Sequence, residues 1–225
     1  MVTVSHQHMH AGDESAARAS LLKAFRLMSM RGLNAGTAGN ASLRYGDGFL
    51  ITPSGIPAEE LAEEDLVWLN FAGGMRGNRK PSSEWRLHHD ILLARPEVGA
   101  VMHAHSPCAT ALACHGEAIP AFHYMVLRFG GPDVPCAAYA TYGTQALSDT
   151  VLSALQERTA CLMANHGMVV LGEDAPRAIA AAIEFESLCE HYWRARLLGQ
   201  PRILSPQELA QVEAQFTQYG QTSQQ

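Results

Sequence analysis

The sequence predicts a single-domain α/β protein, a layered sheet with helices on both faces. Three observations predict it. Apolar runs of strand length are interspersed with amphipathic segments of helix length. Some neighbouring runs are joined by tight hairpin turns and others by helical crossovers, so the sheet is mixed. No internal repeat and no linker-like stretch divides the chain, and 225 residues suit one large domain.

The elements follow in order. Residues 1–12 read as a flexible tail, 13–220 as the domain and 221–225 as a second tail. His6, His8 and His10 alternate in the first tail, where stray metal is the most they would hold. Residues 14–31 read as a helix, with Leu21, Ala24, Phe25 and Met28 on one face and Gly32 as its stop. A glycine-rich stretch, 36–40, precedes the strand Ala41–Tyr45. It is not a dinucleotide fingerprint, which would follow a strand. Gly46-Asp-Gly48 signals a hairpin into the return strand Phe49–Thr52, and Thr52-Pro-Ser-Gly55 is a turn that displays its polar atoms. Leu66–Phe71 is a strand ending at Gly73-Gly74.

Ser82 or Ser83 can cap a helix that runs to about Ala94, with Pro96 beyond it. Val98–His105 is an apolar strand, and Ser106-Pro107 reads as cap and first residue of a short helix. Thr144–Glu157 is a helix. Ala160–Ala164 and Met168–Leu171 are strands hinged at Asn165-His166-Gly167. Asp174 caps a long helix to about Leu198, and Ser205-Pro206 starts the last one.

Composition narrows the function. Apolar residues make up 47% and charged residues 17%, so a full core is available. Sixteen Lys+Arg against 22 Asp+Glu give a net charge of −6, which argues against a nucleic-acid binder. No stretch approaches the ~20 apolar residues of a membrane span, and the polar first ten residues do not read as a secretory signal. Five cysteines, odd in number and widely spaced, read as reduced thiols of a cytoplasmic protein.

The strongest chemical signal is His103-Ala-His105. Alternate residues of a strand share a face, so the two imidazoles project side by side as a metal needs; by themselves they read equally as two hydrogen-bonded structural histidines. Asn165-His166-Gly167 lies between two apolar strands and reads alone as a core or turn histidine. Combined with the pair, it offers a third nitrogen, and three protein ligands with an open position is the catalytic zinc pattern. Pro81-Ser-Ser-Glu84 reads either as ordinary capping or as an anion site at a helix start with Glu84 beside it as base or ligand. Ser54-Gly55 and Gly39-Asn40 add hydroxyl, amide and N–H donors. His88, His89, His115 and His191 read as structural or surface residues.

The ordered motifs Gly36-Thr-Ala-Gly-Asn-Ala-Ser42, Ile51-Thr-Pro-Ser-Gly55, Pro81-Ser-Ser-Glu-Trp85, His103-Ala-His105, His123-Tyr-Met125 and Asn165-His-Gly167 resemble the class II aldolase/adducin family. With Pro135–Gly143 and Phe216–Gly220 the resemblance spans roughly 14–220. It implies a zinc ion, replaceable by manganese or cobalt, on His103, His105 and His166. Glu84 is then a ligand of the resting metal that swings off and moves protons. Phosphate contacts come from Gly39, Asn40, Ser54, Gly55, Ser82 and Ser83. The resemblance also implies a homotetramer with shared active sites, in which Tyr124 reaches a neighbour's site as proton donor and Tyr219 closes over the aldehyde end.

The implied reaction is reversible aldol cleavage of a sugar 1-phosphate to dihydroxyacetone phosphate and a short aldehyde. L-fuculose 1-phosphate and the 5-deoxy- and 5-methylthioribulose 1-phosphates are the candidate substrates. Sugar-phosphate 4-epimerases, keto-acid phosphate decarboxylases and non-catalytic adducin-like domains share the frame. Arg128 and Phe129 depart from the small residues expected after the tyrosine, and the expectation is that they line the aldehyde side.

Overall fold

A computed structural model of the protein describes residues 11–219. One sheet is built from β1 (Asn40–Tyr45), β2 (Gly48–Ile51), β3 (Val67–Asn70), β4 (Met75–Arg76), β5 (Ala100–Ala104), β6 (Cys136–Ala137), β7 (Ala160–Met163) and β8 (Gly167–Gly172). Their order across the sheet is β4-β3-β2-β1-β5-β8-β7-β6. All neighbours run antiparallel except β6 and β7. The helices are α1 (Ala11–Met30), α2 (Trp85–Ala94), α3 (Pro107–Ala113), α4 (Gln145–Ala154), α5 (Ala175–Leu197) and α6 (Pro206–Tyr219). The predicted mixed α/β architecture is therefore the observed one.

Strand alternation divides the core in two. Ala100, Met102 and Ala104 of β5 join Met168 and Val170 of β8 beneath Phe25 and Met28 of α1 and Ala178, Ala182 and Phe185 of α5. Val101, Val169 and Leu171 face the other way, against Leu87 and Ile91 of α2 and Leu147 and Val151 of α4. His103 has the parity of Val101, so it points toward the α2 layer. Asn40 lies opposite His103 in the β1–β5 register, and Ser42 lies opposite Val101. Both therefore face α2 as well.

Sequence expectations hold best where the cause is local. Thr144 and Asp174 accept from the N–H groups of Leu147 and Arg177 at the starts of α4 and α5. Ser106 does not cap α3 as expected. Its hydroxyl donates to Glu186 of α5, and that carboxylate accepts from the N–H groups of Cys108 (2.7 Å) and Ala109 (2.9 Å). A charge from a distant helix satisfies this N-terminus better than a neutral hydroxyl does. The two-residue strands β4 and β6 and the 3₁₀ turns Glu63–Asp65 and Tyr124–Phe129 were not expected, because so few residues show no period. Helix α1 begins at Ala11, inside the stretch expected to be tail. His6, His8, His10 and the tail 221–225 lie outside the described residues. No helix among the described residues is long and apolar enough to cross a membrane.

Candidate active site

The C-terminal ends of β5 and β7 and the starts of β1 and β8 meet at one edge of the sheet. His103 closes in from β5 and His105 follows it one residue past the strand. His166 comes from the tight turn between β7 and β8, where Asn165 takes a left-handed φ of 56°, a conformation asparagine tolerates. Gly167 lets this turn approach β5. A Cβ there would lie 2.4 Å from the Ala104 carbonyl oxygen and 3.1 Å from the His105 ring. The three imidazole centroids are 4.8–4.9 Å apart.

Glu84 completes the cluster from the residue before α2. Its Oε2 lies 3.1 Å from His103 Nε2 and accepts from Asn40 Nδ2 at 3.0 Å. Its Oε1 lies 3.5 Å from His166 Nε2 and, though buried, has no hydrogen-bond partner. Burial would push the Glu84 carboxyl up, but the neighbouring His103, with His166 and Asn40, holds it far below the usual carboxylate range. Burial opposes a charge on His103, yet the Glu84 carboxylate raises its pKa. Burial and the His103 charge together lower His105, and lower His166 to about 4.

These residues fit a divalent metal ion. One donor atom from each of Glu84, His103, His105 and His166 falls within 4.8 Å of the others. His103 Nδ1 lies 2.9 Å from the Met168 carbonyl oxygen, which can only accept. A proton therefore sits on Nδ1, and Nε2 is the nitrogen that faces the cluster. Nε2 meets His105 Nε2 at 3.0 Å and the Glu84 carboxylate at 3.1 Å. Such a convergence of lone pairs and an orphaned buried oxygen needs a proton or a cation between them.

The cluster opens into a cavity of about 480 Å³ whose wall includes Gly39, Asn40, Ser54, Gly55, Ser82, Ser83, Glu84, His105 and His166. All six residues expected to hold phosphate thus surround one space. The loops carrying them are tied together, since Ser83 N–H donates to Ser54 Oγ (3.1 Å) and Pro53 bridges to Pro81. Ser82 Oγ accepts from Glu84 N–H at 3.2 Å in the turn before α2, but neither serine caps the helix as expected: Glu84 holds the N-cap position without a side-chain cap bond. Gly39 has φ +72°, and a Cβ there would lie 2.3 Å from the Asn34 side chain. No lysine or arginine lines the cavity; anion affinity there rests on hydroxyls, backbone N–H groups and the start of α2.

Other expected residues fall elsewhere. Tyr124 is 44% exposed and stacks on His123, with Phe216 behind it, and it does not line the cavity of its own chain. Phe129 is a correction. It is 2% exposed and packs edge-on against Phe185, so it belongs to the core. Arg128 pairs with Glu184 of α5 and borders a different cavity, alongside Arg95 and Arg177. The 3₁₀ turn, invisible in the sequence, alternates their directions. Phe129→Ala should destabilise the protein by about 3–5 kcal/mol in denaturant titrations while the substrate KM stays unchanged. The side chain of Tyr219 lies outside the described residues.

Sequence reasoning missed several residues. Tyr139, Tyr142, Thr37 and Asn165 line the same cavity. Asn34 accepts from His105 N–H at 3.1 Å. His88, read as structural or surface, is fully buried and bonded to Asn40 and Ser42. Its position four residues after Glu84, on the same helix face, was the available signal. Burial and the His103 charge lower its pKa from 6.5 to about 3. The unfolded chain therefore takes up this proton first, and stability falls as the pH drops from 6.5 toward about 3. The slope from this one group is about 1.4 kcal/mol per pH unit. Acid titration of metal-free His88→Leu should show a limb shallower by that one proton.

A three-histidine, one-carboxylate centre, buried at Glu84 and His103 and opening through His105 and His166 beside an anion-suited cavity, defines a metal-dependent α/β enzyme. The chain belongs to the class II aldolase and adducin family: residues 19–193 match the Class II Aldolase and Adducin N-terminal domain. It is 51% identical, over 95% of its length and 96% of the relative's, to a 5-methylthioribulose-1-phosphate/5-deoxyribulose-1-phosphate aldolase of Rhodospirillum rubrum. It is 42% identical to the L-fuculose phosphate aldolase of Escherichia coli K12, over 86% of this chain and 90% of that one. Among solved structures, an L-fuculose 1-phosphate aldolase superposes with a TM-score of 0.87 at 35% identity, covering 94% of this chain and 99% of that one. The protein is a lyase of the class II aldolase type.

Proposed function

We propose that the protein cleaves 5-methylthioribulose 1-phosphate or 5-deoxyribulose 1-phosphate, reversibly, to dihydroxyacetone phosphate and a short aldehyde. The observation that carries the reaction is the Glu84–His103–His105–His166 cluster opening beside six phosphate-suited residues. The choice of ribulose phosphates rests on the 51%-identical relative; Arg128 and Phe129 lend it nothing, since neither reaches the cavity.

Zinc is the ion proposed for the site, because three neutral imidazoles and a carboxylate are its usual donors. When bound, the metal supplies a Lewis acid that stabilises the negative charge left on the donor fragment as the carbon–carbon bond breaks. The chain does the rest. Ser54, Gly55, Ser82, Ser83, Gly39 and Asn40 hold the phosphate and so fix the reacting carbons relative to Glu84. Glu84 removes a proton from C3 of dihydroxyacetone phosphate in synthesis and returns one there in cleavage. Tyr124 of a neighbouring chain moves the proton at the aldehyde oxygen.

In this reading the sites lie between subunits of a homotetramer. Its support is that Tyr124 is exposed, backed by His123 and Phe216, and absent from its own cavity. Mixed oligomers of Tyr124→Phe and Glu84→Gln chains should regain activity well above either parent; verified mixed oligomers without rescue would place the site in one chain. The free state of all five cysteines supports a reducing, cytoplasmic setting.

The reaction is tested with a panel of ketose 1-phosphates, with and without a chelator. Chelator-sensitive release of dihydroxyacetone phosphate, fastest from the two ribulose phosphates, is expected. Fastest release from L-fuculose 1-phosphate would reassign the substrate. An epimer alone, or carbon dioxide, would replace the aldolase reading.

A further inference from the structure

Behind Glu84 runs a buried chain of hydrogen bonds. Ser42 Oγ lies 2.7 Å from His88 Nδ1, His88 Nε2 bonds Asn40 Oδ1, and Asn40 Nδ2 donates to Glu84 Oε2 at 3.0 Å. Ser42 and His88 are 0% exposed and Asn40 is 5% exposed. We propose that His88 is a positioning residue: it sets the direction of the Asn40 amide and, through it, the seat of the Glu84 carboxylate. The proposal rests on the role given to Glu84 above.

The direction of each bond follows from donor and acceptor chemistry. The amide oxygen of Asn40 can only accept, so His88 carries its proton on Nε2. Nδ1 is then an acceptor, and the Ser42 hydroxyl donates to it. A neutral ring with this tautomer is what full burial without a charged partner favours.

The consequence falls on Asn40. An amide can rotate to exchange its oxygen and nitrogen at small steric cost, and here the exchange would turn a carbonyl oxygen toward the Glu84 carboxylate. The His88 N–H blocks it, because the flipped amide would also set N–H against N–H. Two strand residues of one face, Asn40 and Ser42, with Glu84 at the N-cap of α2 and His88 in its first turn, make this ladder possible. A carboxylate that must both meet a metal and move a proton needs such a fixed seat.

The test uses the full chain and cobalt(II) alone as the probe, whose visible spectrum reports the ligand set. His88→Leu keeps apolar volume and removes both bonds. Its cobalt spectrum should move toward that of Glu84→Gln, and cobalt affinity and kcat should fall about 10–100-fold. His88→Gln, which returns an N–H near the Nε2 position, should recover most of both. Combining His88→Leu with Asn40→Ala should be no worse than Asn40→Ala alone. A parental cobalt spectrum and affinity in His88→Leu would overturn the proposal, as would multiplying losses in the double variant or a His88→Gln no better than Leu. Should His88→Leu not fold, Ser42→Ala removes one hydroxyl only and should shift the same readouts about fivefold; no shift there would also overturn it. The cobalt arm needs no substrate, so it decides the matter even if no ketose phosphate is cleaved.

Discussion

Glu84→Gln keeps the phosphate end of the substrate bound and loses turnover, by about 10²–10⁴-fold in kcat. The substitution is nearly isosteric, so of the six residues proposed to hold phosphate only Asn40, which bonds the carboxylate, changes its partner. It removes the acidic group at the cluster, the one that bonds Asn40 and faces both His103 and His166. An amide cannot take the proton from C3. Its NH₂ also meets either the Asn40 NH₂ or the imidazole nitrogens in the place of a charge. The check is a pair of measurements on one preparation. Steady-state kinetics gives kcat, and calorimetric titration with inorganic phosphate gives the anion affinity. Loss of phosphate binding in step with kcat would show that the variant disturbs the whole site and would remove Glu84 as the proton carrier.

His103→Ala should lose the metal and, with it, about 10³-fold or more in activity, the rate equivalent of several kcal/mol of Lewis-acid stabilisation. His103 is the hinge of the cluster. It is fully buried, tied to the Met168 carbonyl at 2.9 Å, and within 3.1 Å of both His105 Nε2 and Glu84 Oε2. Removing it takes away a candidate ligand whose Nδ1 proton is fixed and leaves only His105, His166 and Glu84 to hold an ion. Metal analysis of the purified variant, compared with the parent, is the direct check. A metal-replete and active His103→Ala would sink the ligand assignment.

Much of the fold was legible because its causes are local. The hairpin turn at Gly46-Asp47, the caps at Thr144 and Asp174 and the alternation of Val98–His105 each work within a few residues. The pairing of His103 with His105 was legible for the same reason, although β5 ends at Ala104 and the Asn34 side chain, not the sheet, holds the His105 N–H. Ser106 was misread because its helix is capped by Glu186, some eighty positions away. Phe129 was misread because a 3₁₀ turn without periodic signal aims it at Phe185. His88 went unrecognised because its partners, Ser42 and Asn40, belong to a strand more than forty positions earlier.

By itself the sequence determined the mixed α/β class, the candidate ligands and the loops suited to an anion. These depend on residue type, period and short spacing, which chain order carries directly. Only the tertiary structure decided that β1, β5 and β8 lie side by side and that α2 crosses their α2-facing side with Glu84 and His88 one turn apart. Strand order and helix placement come from burying two apolar faces at once, a cooperative choice made by the whole core. Hence the four donors could be named along the chain, but their convergence, and the Ser42–His88–Asn40 support behind Glu84, follows from packing.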